Sequence, residues 1–438
     1  MTTQGSMPNA YVPGQGDLPK ADLALVARRT RALGPAYRLF YETPVHLVRG
    51  SGVWLYDTDG NAYLDAYNNV ASVGHCHPAV IAATARQSAI FASHTRYLHP
   101  IVLDYAEALL ATHAPALGNA MFTCTGSEAN DLAFRIARAH TGGTGFIVTE
   151  NAYHGVTFAI AGMSPSLGSG VDLGAHIRTV AAPDPARMRG DLGQAFAADV
   201  QAAIDDMQRH GIKPAALIVD TIFSSDGIFA DPAGFLQPAV AAIRAAGGVF
   251  IADEVQAGFG RTGDAMWGYQ RHGLTPDIVT MGKPMGNGYP VAGLVVQPAV
   301  LAAFGAKARY FNTFGGNAVA AATAMAVLDV VQSEGLQQNA QSVGAYFATA
   351  LRDLAKSHPC LGVVRAAGLF IGVDVIDEDQ QAPDAVKTAA IVNGMRQARV
   401  LISSSGPRSN VLKIRPPLVF STTNVDYFID RLDTVLRQ

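Results

Sequence analysis

A chain of 438 residues exceeds what one hydrophobic core usually serves, so a large α/β domain with a smaller unit packed against it is expected. With 49% hydrophobic residues, 15% charged residues and a net charge of -3, it has no one-signed field to draw in nucleic acid or a membrane surface, which leaves small molecules as partners. Cys76, Cys124 and Cys360 are scattered and lack CxxC spacing, which argues against a disulfide framework and a structural zinc and fits a reducing cytoplasm.

Residues Met1 to Asp17 are rich in Gly, Pro and Gln and aperiodic, and read as an arm that is disordered alone or laid on a partner subunit. Over Met1 to Leu18 no basic residue is followed by an apolar block, so no secretory signal is expected. Val45 to Asp65 alternates apolar and polar residues around the turn Asp57-Thr58-Asp59-Gly60, the pattern of a small hairpin. From Pro78 onward, helical periods alternate with short apolar strand candidates, as in a mostly parallel sheet covered on both faces. These are Ala120 to Thr123, Gly145 to Thr149, Ala216 to Asp220, Gly248 to Asp253 and Asp277 to Met281. The apolar runs Ala215 to Phe223 and Ala239 to Val255 are cut by Asp220, Arg244 and Asp253 and are too short to span a bilayer. After a helical stretch near Asn317 to Gly335, the tail carries further helices and short strands such as Leu369 to Val375 and Val411 to Ile414. The expected division is an arm and helix over 1–40, part of the small domain over 41–77, the large domain over 78–335 and the remaining small domain over 336–438.

The strand ends carry the polar residues, and ligands of open α/β sheets bind beyond the carboxyl ends of strands. Gly248 to Gly263, "GVFIADEVQAGFGRTG", ends a strand in Asp253-Glu254. A P-loop NTPase is excluded, because no GxxxxGK[ST] occurs and Lys283 is followed by Pro284, which has no N–H. A strand-end aspartate capping the next turn would account for Asp253 alone. Thirty residues on, Lys283 stands at another strand end between small residues, one of only seven lysines beside 25 arginines. Such a lysine can lose solvation and become a nucleophilic amine; a surface loop lysine is the plain alternative. In "FTCTGSEANDLAFRIAR" a strand, a small-residue turn and a helix follow one another. The N–H groups of Gly126 and Ser127 and the Ser127 hydroxyl suit a phosphate there, while Glu128 and Asn130 also fit ordinary capping.

The runs "TGSEAN", "ADEVQAGFGRTG", "MGKPMGNGYPVAG" and "FNTFGGN", in this order, resemble the class III (ω-amino acid) aminotransferases of pyridoxal 5'-phosphate (PLP) fold type I, over Tyr41 to the C-terminus. The resemblance implies a large PLP-binding domain with a mostly parallel sheet and a smaller α+β domain. It also implies that Lys283 is the Schiff-base lysine and proton-moving base, and that Asp253 pairs with the pyridine nitrogen. By the same likeness Tyr153, next to His154, stacks on the ring, Val255 packs on the other face and Gln256 meets the phenolic oxygen. Gly126 and Ser127 match the phosphate cup, and Thr313 resembles a residue reaching the neighbouring subunit's cofactor, so that a homodimer, or a tetramer of two, shares its sites. Tyr153 as a core aromatic and Thr313 as a turn residue remain the plain alternatives.

The resemblance implies transfer of an amino group from an amine or ω-amino acid to a keto acid such as pyruvate or glyoxylate. "CHPAV", "TRYLH" and "GPRSNVLKIRPPL" look closest to the branch holding alanine-glyoxylate aminotransferase 2 and the ethanolamine-phosphate phospho-lyases, so expulsion of phosphate from a phosphorylated amine is the alternative. A PLP-fold binding protein without catalysis is disfavoured by the presence of both Lys283 and Asp253. Ornithine- and GABA-type members carry Glu near position 220 and Arg near 413; here Asp220 and Lys413 are expected to pair, without the planar fork that grips a carboxylate. Arg96 is a candidate for a substrate anion or an interface, with a surface salt bridge as the plain alternative. The HxH spacing of His75 and His77 has no evident third ligand, which favours a loop near the dimer interface over a metal site.

Overall fold

The computed structural model describes residues 9–14 and 18–438. Of the arm, residues 1–8 and 15–17 lie outside the described residues, but the piece around Asn9 is tied to its own chain rather than free. Tyr11 N donates to Leu39 O at 2.7 Å, Tyr41 N donates to Asn9 O at 2.7 Å, and Ser403 Oγ donates to Asn9 Oδ1 at 3.2 Å. Helix α1 (Lys20–Leu33) follows. The expected hairpin is a three-stranded antiparallel unit of β1 (Leu47–Ser51), β2 (Trp54–Asp57) and β3 (Ala62–Asp65). Its β2–β3 turn is closed by Asp57, which accepts from the N–H groups of Asp59 at 3.0 Å and Asn61 at 2.8 Å.

Helices α2 (Pro78–Ile90) and α3 (Pro100–Leu110) each open on a proline, whose missing N–H costs nothing in a first turn. The central sheet is then built from β4 (Asn119–Thr123), β5 (Gly145–Thr149), β6 (Ile177–Val180), β7 (Pro214–Asp220), β8 (Val249–Asp253), β9 (Ile278–Met281) and β10 (Ala292–Val296). Their order is β4-β10-β9-β8-β7-β5-β6, parallel except for β10, which runs antiparallel to β4 and β9. Helices α4 (Gly126–Thr141), α5 (Phe158–Ala161), α6 (Leu192–Arg209), α7 (Gln237–Ala245) and α8 (Pro298–Lys307) connect the strands or follow the last of them.

Both faces of this sheet are covered, which is why its strands read as unbroken apolar runs. Leu217, Val219, Phe250 and Ala252 point into one apolar cluster, and Ala216, Ile218, Val249 and Ile251 into the other. Helix α9 (Ala318–Ser333), N-capped by the Asn317 side chain, leads to α10 (Leu336–Ala355), β11 (Leu361–Ala367), β12 (Phe370–Asp377), β13 (Ala382–Pro383), α11 (Ala385–Gln397), β14 (Val400–Leu401), β15 (Ser403–Ser405), β16 (Val411–Ile414) and α12 (Thr422–Leu436). A third cluster joins Tyr63, Leu64 and Val73 to Phe347, Ile371, Leu412 and Phe428. Strand β14 pairs in parallel with β3, so the two ends of the chain share one sheet. No single helix among the described residues is long and apolar enough to cross a membrane.

Candidate active site

Parallel pairing puts the ends of β7, β8 and β9 on one edge of the sheet, with Asp220 level with Asp253 and Asp253 level with Thr280, and β4, across the antiparallel β10, runs in the same direction. A cleft with about 440 Å³ of open space lies beyond that edge. It is lined by Gly126, Ser127, Tyr153, His154, Asp220, Asp253, Val255, Gln256 and Lys283, all named from the sequence, and by Asn130 and Gly155, which were not assigned to it.

The head of α4 forms one wall. Thr125 caps it by accepting from Glu128 N at 3.2 Å, while Glu128 Oε2 accepts from Cys124 N at 2.7 Å and Thr125 N at 3.1 Å. The N–H groups of Gly126 and Ser127 come first in the helix, where the backbone offers no intrahelical acceptor. A Cβ at Gly126 would stand 3.0 Å from Val255 Cγ2, and one at Gly155, whose φ is 138°, would stand 2.7 Å from Ser127 Cα. Ser127 Oγ accepts from Val156 N at 3.1 Å. The concavity exists because both positions lack side chains.

Asp253 is buried at the end of β8 under three donors. Its Oδ2 accepts from Asn130 Nδ2 at 2.9 Å and from His154 Nδ1 at 2.7 Å, and its Oδ1 accepts from Val255 N at 3.1 Å. Thr280 Oγ1 donates to Asn130 Oδ1 at 2.6 Å, which fixes that amide with its NH2 toward the acid. The other ring nitrogen of His154 is buried without a partner among the described residues. Lys283 opens a short turn after β9, with its Nζ 5.9 Å from the centre of the Tyr153 ring. Burial lowers its pKa to about 8; the Arg415 charge adds to this, and Asp253 and Asp220 oppose it. Tyr153 is 38% exposed, its hydroxyl pKa raised by burial and by Asp253. The residues fit PLP: a glycine-built cradle at a helix head, a buried carboxylate aimed along a strand end, an aromatic face and a lysine of lowered basicity meet in one cleft.

The expected Asp220–Lys413 ion pair is not formed. Asp220 is claimed by its own turn, accepting from Ile222 N at 3.1 Å, from Ser224 N at 3.2 Å and from the Ser224 hydroxyl. Lys413 is buried outside the cleft lining, and its Nζ donates instead to Ser224 O at 3.1 Å. Burial, then the neighbouring Arg415, holds the Lys413 ammonium well below its ordinary pKa; burial, then Asp253, raises that of Asp220. Gln256 donates to the Ser224 hydroxyl and accepts from Arg415 Nη1. Arg415, two residues beyond Lys413, escaped the sequence reading; its place beside the two prolines was the only hint.

Arg96 and Thr313 do not line the cleft of their own chain. The guanidinium of Arg96 lies 3.8 Å from the centre of the Phe311 ring, and Thr313 is exposed in the loop after it. His75 Nε2 meets Asp65 Oδ2 at 2.7 Å and His77 Nε2 meets Glu334 Oε1 at 3.1 Å, so the two rings serve different carboxylates.

The family model described as aminotransferase class-III matches residues 40–436. The chain is 39% identical over 416 residues to an alanine-glyoxylate aminotransferase 2-like protein of Drosophila melanogaster, covering 92% of this chain and 84% of that one. It is 36% identical over 434 residues to ethanolamine-phosphate phospho-lyase homolog 1 of Caenorhabditis elegans, covering 94% and 93%. A solved phospholyase from Arthrobacter in complex with phosphoethanolamine superposes with a TM-score of 0.92 at 44% identity, over 94% of this chain and 99% of that one. On its matched length, its cleft and these likenesses, the chain belongs to the class III aminotransferase family, whose members depend on PLP.

Proposed function

We propose that this chain is a PLP enzyme that holds its cofactor on Lys283 and releases inorganic phosphate from a small phosphorylated amine such as ethanolamine phosphate. The observation that carries this reading is the charge around the cleft: among the described residues Lys413 and Arg415 are buried beside it without an acid partner, and the arginine fork that would grip an α-carboxylate at position 413 is replaced by lysine. Likeness to the Arthrobacter phospholyase supports the same reading.

Gly126 and Ser127, at the positive end of α4, would hold the cofactor phosphate, with Thr313 of a second copy completing the cup in a homodimer. Val255 and Tyr153 would enclose the ring, and Gln256 would face its phenolic oxygen. Asp253, oriented by His154 and Asn130, would keep the ring nitrogen protonated. When bound, PLP supplies an electron sink that lets the carbon bearing the substrate nitrogen give up a proton. Lys283 Nζ, with a pKa near 8, is the base that takes it. The C–O bond on the adjacent carbon then breaks, its electron pair leaving on phosphate; the proton held by Lys283 returns to that carbon, and one water enters and ammonia departs to leave an aldehyde.

Transamination, with an amine or ω-amino acid as donor and a keto acid such as pyruvate or glyoxylate as acceptor, begins with the same proton transfer. It is the second reading, and likeness to the Drosophila relative supports it. Purified holoenzyme given ethanolamine phosphate and a panel of amines, scored for phosphate release and for keto-acid consumption, separates the two. Phosphate release without a keto acid is the expected outcome. Keto-acid consumption with no phosphate release from any phosphorylated amine would install transamination instead.

A further inference from the structure

The Arg415 side chain is more than nine-tenths buried, and no carboxylate in the described residues forms an ion pair with it. Its Nη1 donates to a neutral amide, Gln256 Oε1, its Nε has no partner among the described residues, and its guanidinium lies 4.4 Å from the centre of the Tyr67 ring. The two acids nearest the cleft are already engaged: Asp253 by His154 and Asn130, and Asp220 by Ser224 and Ile222 N. A buried cation with only neutral partners is costly to keep, and the arrangement makes sense when an anion completes it. The head of α4 answers for one phosphate, the cofactor's, so this anion is a second one.

We infer that Arg415 is the specificity-determining receptor for the phosphate of the substrate. This rests on the reading of the cleft as a site for a phosphorylated amine. The guanidinium presents a planar fork that takes two phosphate oxygens at once, which a lysine in its place could not do. Stacking on Tyr67 limits its freedom before the ligand arrives. Lys413 Nζ is held on Ser224 O and makes no direct contact of its own. The phosphate would exchange with the Gln256 carbonyl for Arg415 Nη1, releasing that amide toward the cleft.

The test is binding of inorganic phosphate to PLP-loaded protein by calorimetry, alongside the Michaelis constant for ethanolamine phosphate, in wild type, Arg415→Gln and Arg415→Lys. Loss of a charge-assisted bidentate contact should weaken phosphate binding and raise that constant by about 100-fold in Arg415→Gln, with Arg415→Lys intermediate. Thermal midpoints and the cofactor absorbance of each variant show whether the fold and the loaded site survive. If Arg415→Gln unfolds, the comparison of wild type with Arg415→Lys decides alone. Phosphate bound equally tightly by wild type and by a folded, loaded variant would overturn the assignment, as would a wild-type holoenzyme with no measurable affinity for phosphate. Phosphate binding that depends on Arg415, in a protein that releases none from ethanolamine phosphate, would keep the assignment and sink the proposed reaction.

Discussion

At Lys283 opposing charges decide the chemistry. Burial is the largest influence and brings its pKa from the ordinary 10.5 to about 8; the Arg415 guanidinium acts in the same direction, and Asp253 and Asp220 act against it. Only the unprotonated amine adds to an aldehyde, so the sign is fixed: capture of PLP by apoprotein should accelerate by about tenfold per pH unit up to about pH 8 and then level off. Removing the positive charge of Arg415 stabilises the ammonium and should move that midpoint upward. Stopped-flow absorbance of the forming imine reads both. A rate that keeps rising about tenfold per unit from pH 8 to 10 would show that Lys283 keeps the basicity of an ordinary lysine. Lys283→Ala should remain folded and retain PLP through the head of α4, yet lose imine absorbance and at least about a hundredfold to ten-thousandfold in turnover. A variant with wild-type turnover would remove Lys283 from the mechanism.

The cleft owes its shape to how strands end and turns begin. Gly155 shows this most directly, because its φ of 138° and the 2.7 Å between a built Cβ and Ser127 Cα leave no room for a methyl group. Gly155→Ala should therefore displace the first turn of α4, costing about 1–3 kcal/mol of stability and shortening PLP residence. Thermal melts of the apoprotein and cofactor dissociation rates measure these, and unchanged values in both would show that the cradle is compliant. Strands β5, β7 and β8 were legible because burial on both faces leaves no polar interruption until the last residue, and β9 because only Thr280 interrupts its apolar run. Strands β6 and β10 were not: β6 is a short edge with Arg178 and Thr179 in it, and β10 runs against its neighbours directly after the glycine-rich loop. The pairing of Asp220 with Lys413 failed for a local reason. Opposite charges facing each other suggest a bridge, but a strand-end aspartate meets first the N–H groups two and four residues ahead, and those captured it. Arg415 was illegible because its meaning comes from the acid it lacks, and only three-dimensional packing shows that.

For the whole molecule, the site lies where the chain's two ends return to the central sheet. Arg415 N donates to Ala66 O at 2.8 Å, Leu418 N donates to Ser72 O at 2.7 Å, and the buried Arg261 side chain donates to Leu369 O at 3.1 Å and to Pro416 O. Thr313 stands exposed outside its own cleft, in a stretch where Phe314 is 68% exposed, and Tyr97 and Leu98, beside the Arg96 that covers Phe311, are 62% and 98% exposed. Large apolar side chains left in water on two neighbouring loops suit burial against a second copy, which would place Thr313 at that copy's cofactor phosphate. Mixed dimers purified with two different tags, one chain Thr313→Ala and the other Lys283→Ala, separate this from a role within one chain. If Thr313 acts across the interface, the intact Lys283 sees the intact Thr313 of its partner, and the other site carries both lesions. The mixed dimer should then hold PLP at one site with the dissociation rate of the wild type, and turn over at about half the wild-type rate per dimer. A Lys283-bearing site that loses PLP as fast as the Thr313→Ala homodimer would instead assign Thr313 to its own chain or to the loop alone, and a chain that sediments as a monomer with full activity would remove the shared site altogether.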